Sequence, residues 1–369
     1  MKKVIVSVTN DLASDQRVHK VCTTLSNMGF EVLLVGRKMA NSLDMQPRAY
    51  KTKRMRLLFT KGPLFYAEFN IRLLLLLLFR KFDLLVSNDL DTLMANYLAS
   101  KWKSKSLVYD SHEYFTEVPE LQGRKAKKIW ERIEGWIFPK LDDIITVNKS
   151  IASIYEKKYA KKLKVVRNIP FRNTHIEEIK KIDIGIEEQQ RIVILQGAGI
   201  NMDRGAEEAV LAMKNVENAV LLIVGGGDVL EMLKQMVQEN KLENKVMFIP
   251  RQAIDKLYAY TSLADIGLSL DKDTNLNYRY SLPNKIFDYI QCGTPVLASD
   301  LPEVKNIIQS YDVGVIVEEH NPQAIAKSIN EMLDADFKKS HQEQLLKAAD
   351  ELVWENEEEV LKEIYAKYL

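Results

Sequence analysis

Two rhythms alternate along the chain. Short apolar runs stand at residues 4–8, 31–35, 84–87, 106–109, 143–147 and 164–166. Between several of them, apolar positions recur with the helical period. After Asp15 they fall at Val18, Val21, Cys22 and Leu25, spaced three, one and three. Gly29 stands where a helix of that phase would end. Residues 92–101 and 149–159 read as helices in the same way.

The pattern then restarts. Apolar runs at 191–196, 219–224, 245–249, 266–269, 295–298 and 314–317 read as strands. Helical stretches fall at 204–214, 228–241, 253–261, 283–292, 302–310 and 322–334. Strands alternating with helices of this length are βαβ units, so each half is expected to form a parallel sheet. The fold class is α/β, with two Rossmann-like domains. The boundaries are set at 1–168 for the first domain and 169–345 for the second. The polar stretch 171–190 connects them, and 346–369 is a returning C-terminal helix, its residues 348–369 read as one long amphipathic helix.

Composition changes this picture in one respect. The 369 residues carry a net charge of +1. Residues 1–168 hold 31 basic and 17 acidic side chains, net +14, and residues 169–369 are net −13. Opposite charge in the two halves points to different partners, with phosphates, anionic lipid or an acidic glycan suiting the first. The two cysteines, Cys22 and Cys292, lie in apolar helical stretches and read as reduced packing residues. The run 4–8 is too short for a signal peptide. Residues 71–79 are strongly apolar but include Arg72 and fall short of a span of about 20 residues. A cytoplasmic protein is expected, with the inner face of a membrane as a candidate place for it.

Open parallel sheets bind ligands at the carboxyl ends of their strands, so chemistry is sought in the loops there. Both Gly197-Ala198-Gly199-Ile200-Asn201-Met202 and Gly225-Gly226-Gly227-Asp228-Val229-Leu230 lack the third glycine of a dinucleotide fingerprint. Neither a phosphate-binding Gly-x-x-x-x-Gly-Lys-Ser/Thr motif nor a Gly-x-Ser-x-Gly elbow occurs. His19, His112, His175, His320 and His341 show no metal-ligand spacing, so no metal is expected.

Other loops do carry chemistry. Gly197 to Gly205 follows a strand and opens a helix, with Arg204 offering a planar donor for a diphosphate. Gly225 and Gly226 allow a tight turn or a close ligand approach, and a purely structural turn reads equally well. Pro283 fits the first position of a helix, followed by Asn284 and Lys285. Asp288, one turn on, suits a ribose. In the first half, Tyr109-Asp110-Ser111-His112-Glu113 places a histidine between two carboxylates just after a strand.

These stretches together resemble the GT-B glycosyltransferases, specifically the large retaining family 4. Ser14-Asp15-Gln16-Arg17-Val18 is similar to that family's first loop and helix, and Asp110-Ser111-His112-Glu113 to its histidine motif. Ser281-Leu282-Pro283-Asn284-Lys285 with Asp288, followed by Cys292-Gly293-Thr294-Pro295-Val296, carries the most specific similarity. Two positions depart from the family pattern. Tyr280 stands where a first glutamate is usual, and Ala198 where a cation is usual.

The resemblance implies parallel sheets facing a cleft and a last helix crossing back to the first domain. It implies a retaining, metal-independent hexosyltransferase that takes a UDP- or GDP-sugar. The acceptor would be a glycan or a lipid-linked molecule in cell-surface polysaccharide or glycolipid synthesis. No cofactor and no nucleic acid are implied. Catalytic candidates are His112, Arg204 and Lys285. Gly197, Gly199, Arg204, Gly205, Gly225, Gly226, Arg251, Pro283, Asn284, Lys285 and Asp288 are placed on the donor side. Asp11, Arg17, Asp89, Asp110 and Glu113 are placed on the acceptor side. Two alternatives share the fold, a non-catalytic partner subunit and a sugar-nucleotide epimerase.

Two segments suit a membrane surface. The first runs from 48 to 61, with Arg48, Lys51, Lys53, Arg54, Arg56 and Lys61 and no acidic residue, and leads into the apolar run 73–79. The second is 124–140, where four basic residues precede Ile129, Trp130, Ile133, Trp136 and Ile137.

Overall fold

The structure, a computed structural model, describes the whole chain except Ser14, Asn41, Leu43, Thr174 and His175. Ser14 of the opening motif and His175 therefore lie outside the described residues. The chain divides into two compact units, 1–168 with 356–369, and 169–355.

The first unit holds a seven-stranded parallel sheet: β1 (Lys3–Asp11), β2 (Glu31–Lys38), β3 (Lys51–Arg56), β4 (Leu84–Asn88), β5 (Ser106–Ser111), β6 (Asp143–Thr146) and β7 (Lys164–Val165). Their order is β3-β2-β1-β4-β5-β6-β7, with Val4 paired to Val32 on one side and Leu84 on the other. β1 and β4 are buried almost throughout, because crossover helices cover both faces of the sheet. Local signals work as the sequence suggests. The Asp15 carboxylate accepts from Val18 N–H to cap the helix Gln16–Asn27. Gly29 leaves that helix at φ +94°.

Two elements here escape the periodicity. β3 reads Lys-Thr-Lys-Arg-Met-Arg and buries only Met55, as an edge strand does. The helix Gly62–Phe79 is apolar on nearly every side and buries Phe65, Phe69, Leu73 and Leu77. By length and composition it is able to cross a membrane. It is also the crossover between β3 and β4 of one sheet, and it packs against the helix Leu90–Lys103, where Asn70 Nδ2 donates to the Asp91 carbonyl at 2.7 Å.

The second unit repeats the plan with six parallel strands: β8 (Arg191–Gly197), β9 (Ala219–Gly225), β10 (Val246–Pro250), β11 (Ile266–Ser269), β12 (Val296–Ala298) and β13 (Gly314–Ile316). The order is β10-β9-β8-β11-β12-β13. Separate apolar clusters fill its two faces. Gly267 is required in β11, because a Cβ there would meet the ring of buried Tyr289 at 2.5 Å.

The tail corrects the expected single helix. Gln342–Glu351 and Trp354–Ala366 are separate helices. Leu352 belongs to the core of the second unit, and Trp354 N–H donates to the Pro170 carbonyl at 2.7 Å. Only from Asn356 does the chain rejoin the first unit, ten residues beyond the expected boundary. There Glu357 receives Arg167 Nε and Nη2 at 2.8 and 2.6 Å, and Leu361 and Tyr365 are fully buried.

Candidate functional sites at the strand ends

In each sheet the strand order reverses beside the first strand. The crevice at the carboxyl ends of β1 and β4, or of β8 and β11, is where such folds take ligands.

In the first unit this place is built around His112. Its Nδ1 lies 3.3 Å from Asp89 Oδ2 and its Nε2 3.5 Å from Asp110 Oδ2. Nε2 also lies 3.1 Å from Asn88 Oδ1. Burial opposes a charge on the ring, but the two carboxylates outweigh it and hold the pKa up to about 9. Asp89 sits at φ +58°, where L residues are strained, and its Oδ1 accepts the His112 backbone N–H at 2.8 Å. Burial acts to raise the Asp110 carboxyl, yet Arg17 and His112 carry it well below the usual range. Arg17 donates to Asp110 through Nη2 at 2.7 Å and Nε at 3.3 Å, and to the Val166 carbonyl at 2.8 Å.

Asp11, at the end of β1, accepts from Ala13 N–H and from the Ser42 hydroxyl, and pairs with Arg54 at 3.5 Å. Glu113 follows His112, and its backbone carbonyl accepts from Ser111. Sequence reading missed Asp91. It takes the Thr9 hydroxyl at 2.5 Å, and burial with nearby Asp89 pushes its carboxyl up to about 8. Its place as the second residue of the helix after β4 was the available signal.

The second unit assembles a different cluster. Arg204 Nη1 donates to Asp271 Oδ2 at 3.1 Å, and its guanidinium lies 4.2 Å over the Tyr278 ring. Lys285 Nζ is 3.9 Å from Asp271 Oδ1. Burial lowers the Lys285 pKa, Asp271 acts against that, and Arg204 adds to it. Lys285 rides on the helix Asn284–Gln291. Pro283 is the N-cap of this helix rather than its first residue. Asp288 accepts from Tyr258 OH at 2.9 Å and from Gln196 Nε2 at 3.5 Å.

The glycine loops interlock. Ile200 N–H donates to the Gly226 carbonyl at 2.8 Å, and Gly226 N–H to the Gly197 carbonyl at 3.1 Å. A Cβ on Gly225, at φ +138°, would meet the Gly197 oxygen at 1.8 Å. That glycine serves the packing of loop on loop. Gly205, at φ +73°, similarly gives way to the Leu270 carbonyl. Gly199 and Gly226 have no such close neighbour. Arg251 departs from the expected group. It follows the edge strand β10, is exposed, and forms no ion pair among the described residues.

Sequence reading also missed Asp271, Tyr258 and Tyr278. Asp271 follows a strand, as the other site residues do. Its partners Arg204 and Lys285 are 67 and 14 positions away, however, so no local pattern marks it.

A parallel doubly wound sheet in each of two units is the arrangement of the GT-B architecture. Sequence comparison agrees. The family described as "Glycosyl transferases group 1" matches residues 176–352, and "Glycosyltransferase Family 4" matches residues 15–169. The chain belongs to the group 1 glycosyltransferases.

Among curated relatives, it is 27% identical over 236 residues to chitobiosyldiphosphodolichol beta-mannosyltransferase of Candida albicans, covering 58% of this chain and 49% of that one. It is 25% identical over 142 residues to the GDP-mannose-dependent alpha-(1-6)-phosphatidylinositol monomannoside mannosyltransferase of Mycobacterium tuberculosis, covering 35% of each. The chain thus spans about half the length, or less, of the curated relatives it matches. Among solved structures, sucrose-phosphate synthase from Thermosynechococcus elongatus aligns with TM-score 0.81 and 16% identity, over 100% of this chain and 99% of that one. HepE of Anabaena in complex with UDP and glucose aligns with TM-score 0.76 and 14% identity, over the whole of both chains.

Proposed function

We propose that this chain moves a hexose from a UDP- or GDP-sugar to a glycan or lipid-linked acceptor, with retention at the anomeric carbon and without a metal. The observation that carries the reading is the convergence of Arg204 and Lys285 on one buried carboxylate beside β8 and β11. Departure of a nucleoside diphosphate builds negative charge, and fixed cations in a buried place stabilise it without reorganising. Arg204 and Lys285 supply that charge, which gives the metal-independent reading its support. Asp288, with one oxygen held by Tyr258, presents its carboxylate to the ribose. His112 keeps its proton and donates to a hydroxyl of the sugar.

The relatives' names include GDP-mannose as donor, and HepE was solved with UDP. Thermal shift with UDP, GDP, ADP and their sugars tests the donor. A ligand at 100 times its Kd raises stability by about 2.7 kcal/mol. Absence of any shift sinks the reading. A shift without turnover on any acceptor supports the non-catalytic alternative. The anomer of the product, read by NMR, tests retention, because the relatives' names include both a beta- and an alpha-linkage. Unchanged turnover in a chelator tests the metal-independent step.

The same reading places the protein at the cytoplasmic face of an anionic membrane. Support comes from the helix Gly62–Phe79, whose outward stripe exposes Leu64, Ile71, Leu75 and Phe79, the last 86% exposed. Between it and β3 runs a groove lined by Lys53, Arg56, Arg72, Arg80 and Phe79, with no carboxylate in its lining. The second candidate segment gives weaker support, because Trp130 and Ile137 are core residues. Trp130 packs edge-on against Tyr66 and Phe115. Co-sedimentation with anionic vesicles at low salt tests the placement, and protein that stays in the supernatant rejects it.

A further inference from the structure

Asp271 lies two residues past β11, where the strand order of the second sheet reverses, and its side chain is 1% exposed. Its bonding is incomplete. Oδ2 holds Arg204, but Oδ1 receives no hydrogen bond, and Lys285 Nζ stops 3.9 Å away. Arg204 Nε also lacks an acceptor. A carboxylate serving only to close a structural ion pair would be drawn into contact with both cations. Here two half-buried cations share one buried carboxylate, with hydrogen-bonding capacity left over on Asp271 and Arg204.

We propose that Asp271 is the counter-anion of the donor site. It holds Arg204 and Lys285 together while no diphosphate is bound, and it opposes the diphosphate once bound, so that it sets how readily the nucleoside diphosphate product leaves. The proposal rests on the donor reading above. Its physical basis is charge balance. Without Asp271, two neighbouring half-buried cations would repel each other in the free protein. With it, the three side chains carry a net +1, which binds a diphosphate less tightly than +2 would. Asp271 acts through Arg204 and Lys285 and is a positioning residue. Its neighbours Tyr278 and Leu270 fix its surroundings. Tyr278 lies under the guanidinium, and the Leu270 carbonyl is occupied by His320 Nε2 at 2.7 Å.

The test is Asp271→Asn, which keeps the shape and an acceptor for Arg204 but removes the charge. UDP or GDP, whichever the parent binds, is expected to bind tenfold or more tightly to the variant. The donor KM and kcat are expected to fall together, as release of the product becomes limiting. The ligand-free Tm should drop while the Tm rise caused by the nucleotide widens. A merely structural role predicts the reverse, weaker nucleotide binding and a smaller rise, and that outcome or an unchanged affinity overturns the proposal. Asp271→Glu supplies a second arm should the first variant fail to fold. Its longer carboxylate keeps the charge and is expected to weaken nucleotide binding at least threefold, and equal affinity counts against the proposal. Failure of the donor reading is separable, since a parent that binds no nucleoside diphosphate defeats both, whereas a parent that binds and an Asn variant that binds no tighter defeats this inference alone.

Discussion

The two units share a topology and place their candidate chemistry at the same point of it, yet they solve the electrostatics in opposite senses. The crevice of the first sheet is rich in carboxylates, with Arg17 closing on Asp110, His112 held between Asp110 and Asp89, and one oxygen of buried Asp91 left without a hydrogen bond. The Asp271 cluster of the second sets two cations against one carboxylate and leaves hydrogen-bonding groups unspent. Each runs against the net charge of its surroundings, since residues 1–168 are net +14 and residues 169–369 net −13. Overall charge is therefore no guide to what a site binds. The basic excess of the first unit lies on its outside, along β3 and the ends of its helices.

The comparison breaks most severely if the first unit does not need its returning helix. Removing residues 356–369 strips fully buried Leu361 and Tyr365 from its core and Glu357 from Arg167. Each large apolar side chain is worth about 1.5–3 kcal/mol, so a loss on the order of 5 kcal/mol is expected in denaturant unfolding. A truncated chain that unfolds at the parent's midpoint would show that this helix contributes no packing.

Arg17→Ala tests whether the first site is closed. It leaves the buried Asp110 carboxylate with only the His112 ring, and about 3–5 kcal/mol of stability should go. A loss below about 1 kcal/mol would mean that solvent reaches the pair. Arg204→Ala makes the complementary test in the second site. There the expected loss is in nucleotide affinity, by roughly 1.5–3 kcal/mol, or some 10- to 150-fold in Kd by calorimetry. If affinity holds and stability alone falls, the second site is as closed as the first.

How these places could be read from sequence differs with the kind of signal. The strands that form the sheet interiors are apolar runs because helices cover both faces, and their periodicity marked them. β3 buries one residue of six, and the helix after it is apolar all round, so neither had a pattern to show. His112 and Arg204 were legible as post-strand residues of unusual chemistry. The Arg17–Asp110 contact, the Asp271 cluster and the interlocked glycines were not, because each joins positions far apart in the chain. The tail was misread for a simpler reason. No proline or glycine interrupts residues 348–369, so nothing local marks the break at Leu352, whose side chain is buried in the core of the second unit.

A smaller effect concerns pH. His112 has a folded pKa raised to about 9 from its ordinary value of about 6.5, through Asp89 and Asp110 acting against burial. Its contribution to stability is complete below about pH 6.5 and is lost as pH rises through 9. The melting temperature of the first unit should accordingly fall across that window in the parent. In His112→Gln, which has no charge to lose, the slope across the same window should flatten. A parent profile that is level from pH 6.5 to 9 would place the ring outside the grip of its two carboxylates.

The smallest effect on stability is expected on the outer face of the first unit, where the comparison locates the surplus of positive charge. Lys53, Arg56 and Arg80 are exposed, and no ion pair involving their side chains is seen among the described residues. Surface substitutions of this kind usually change stability by no more than about 0.5 kcal/mol. Lys53→Glu with Arg56→Glu should therefore leave the melting curve in place. If the groove meets anionic headgroups, each basic side chain near the surface contributes about 1 kcal/mol. Reversing two of them both removes attraction and adds repulsion, so co-sedimentation with anionic vesicles should drop to the level seen with neutral ones. Phe79→Ser supplies the apolar arm, because it removes an 86%-exposed ring without touching the charge. It should weaken vesicle binding while leaving the salt dependence intact. Vesicle binding that survives both changes would move the contact to another face, and the neighbourhood of Trp102, 81% exposed between Lys101 and Lys103, is where the search would turn.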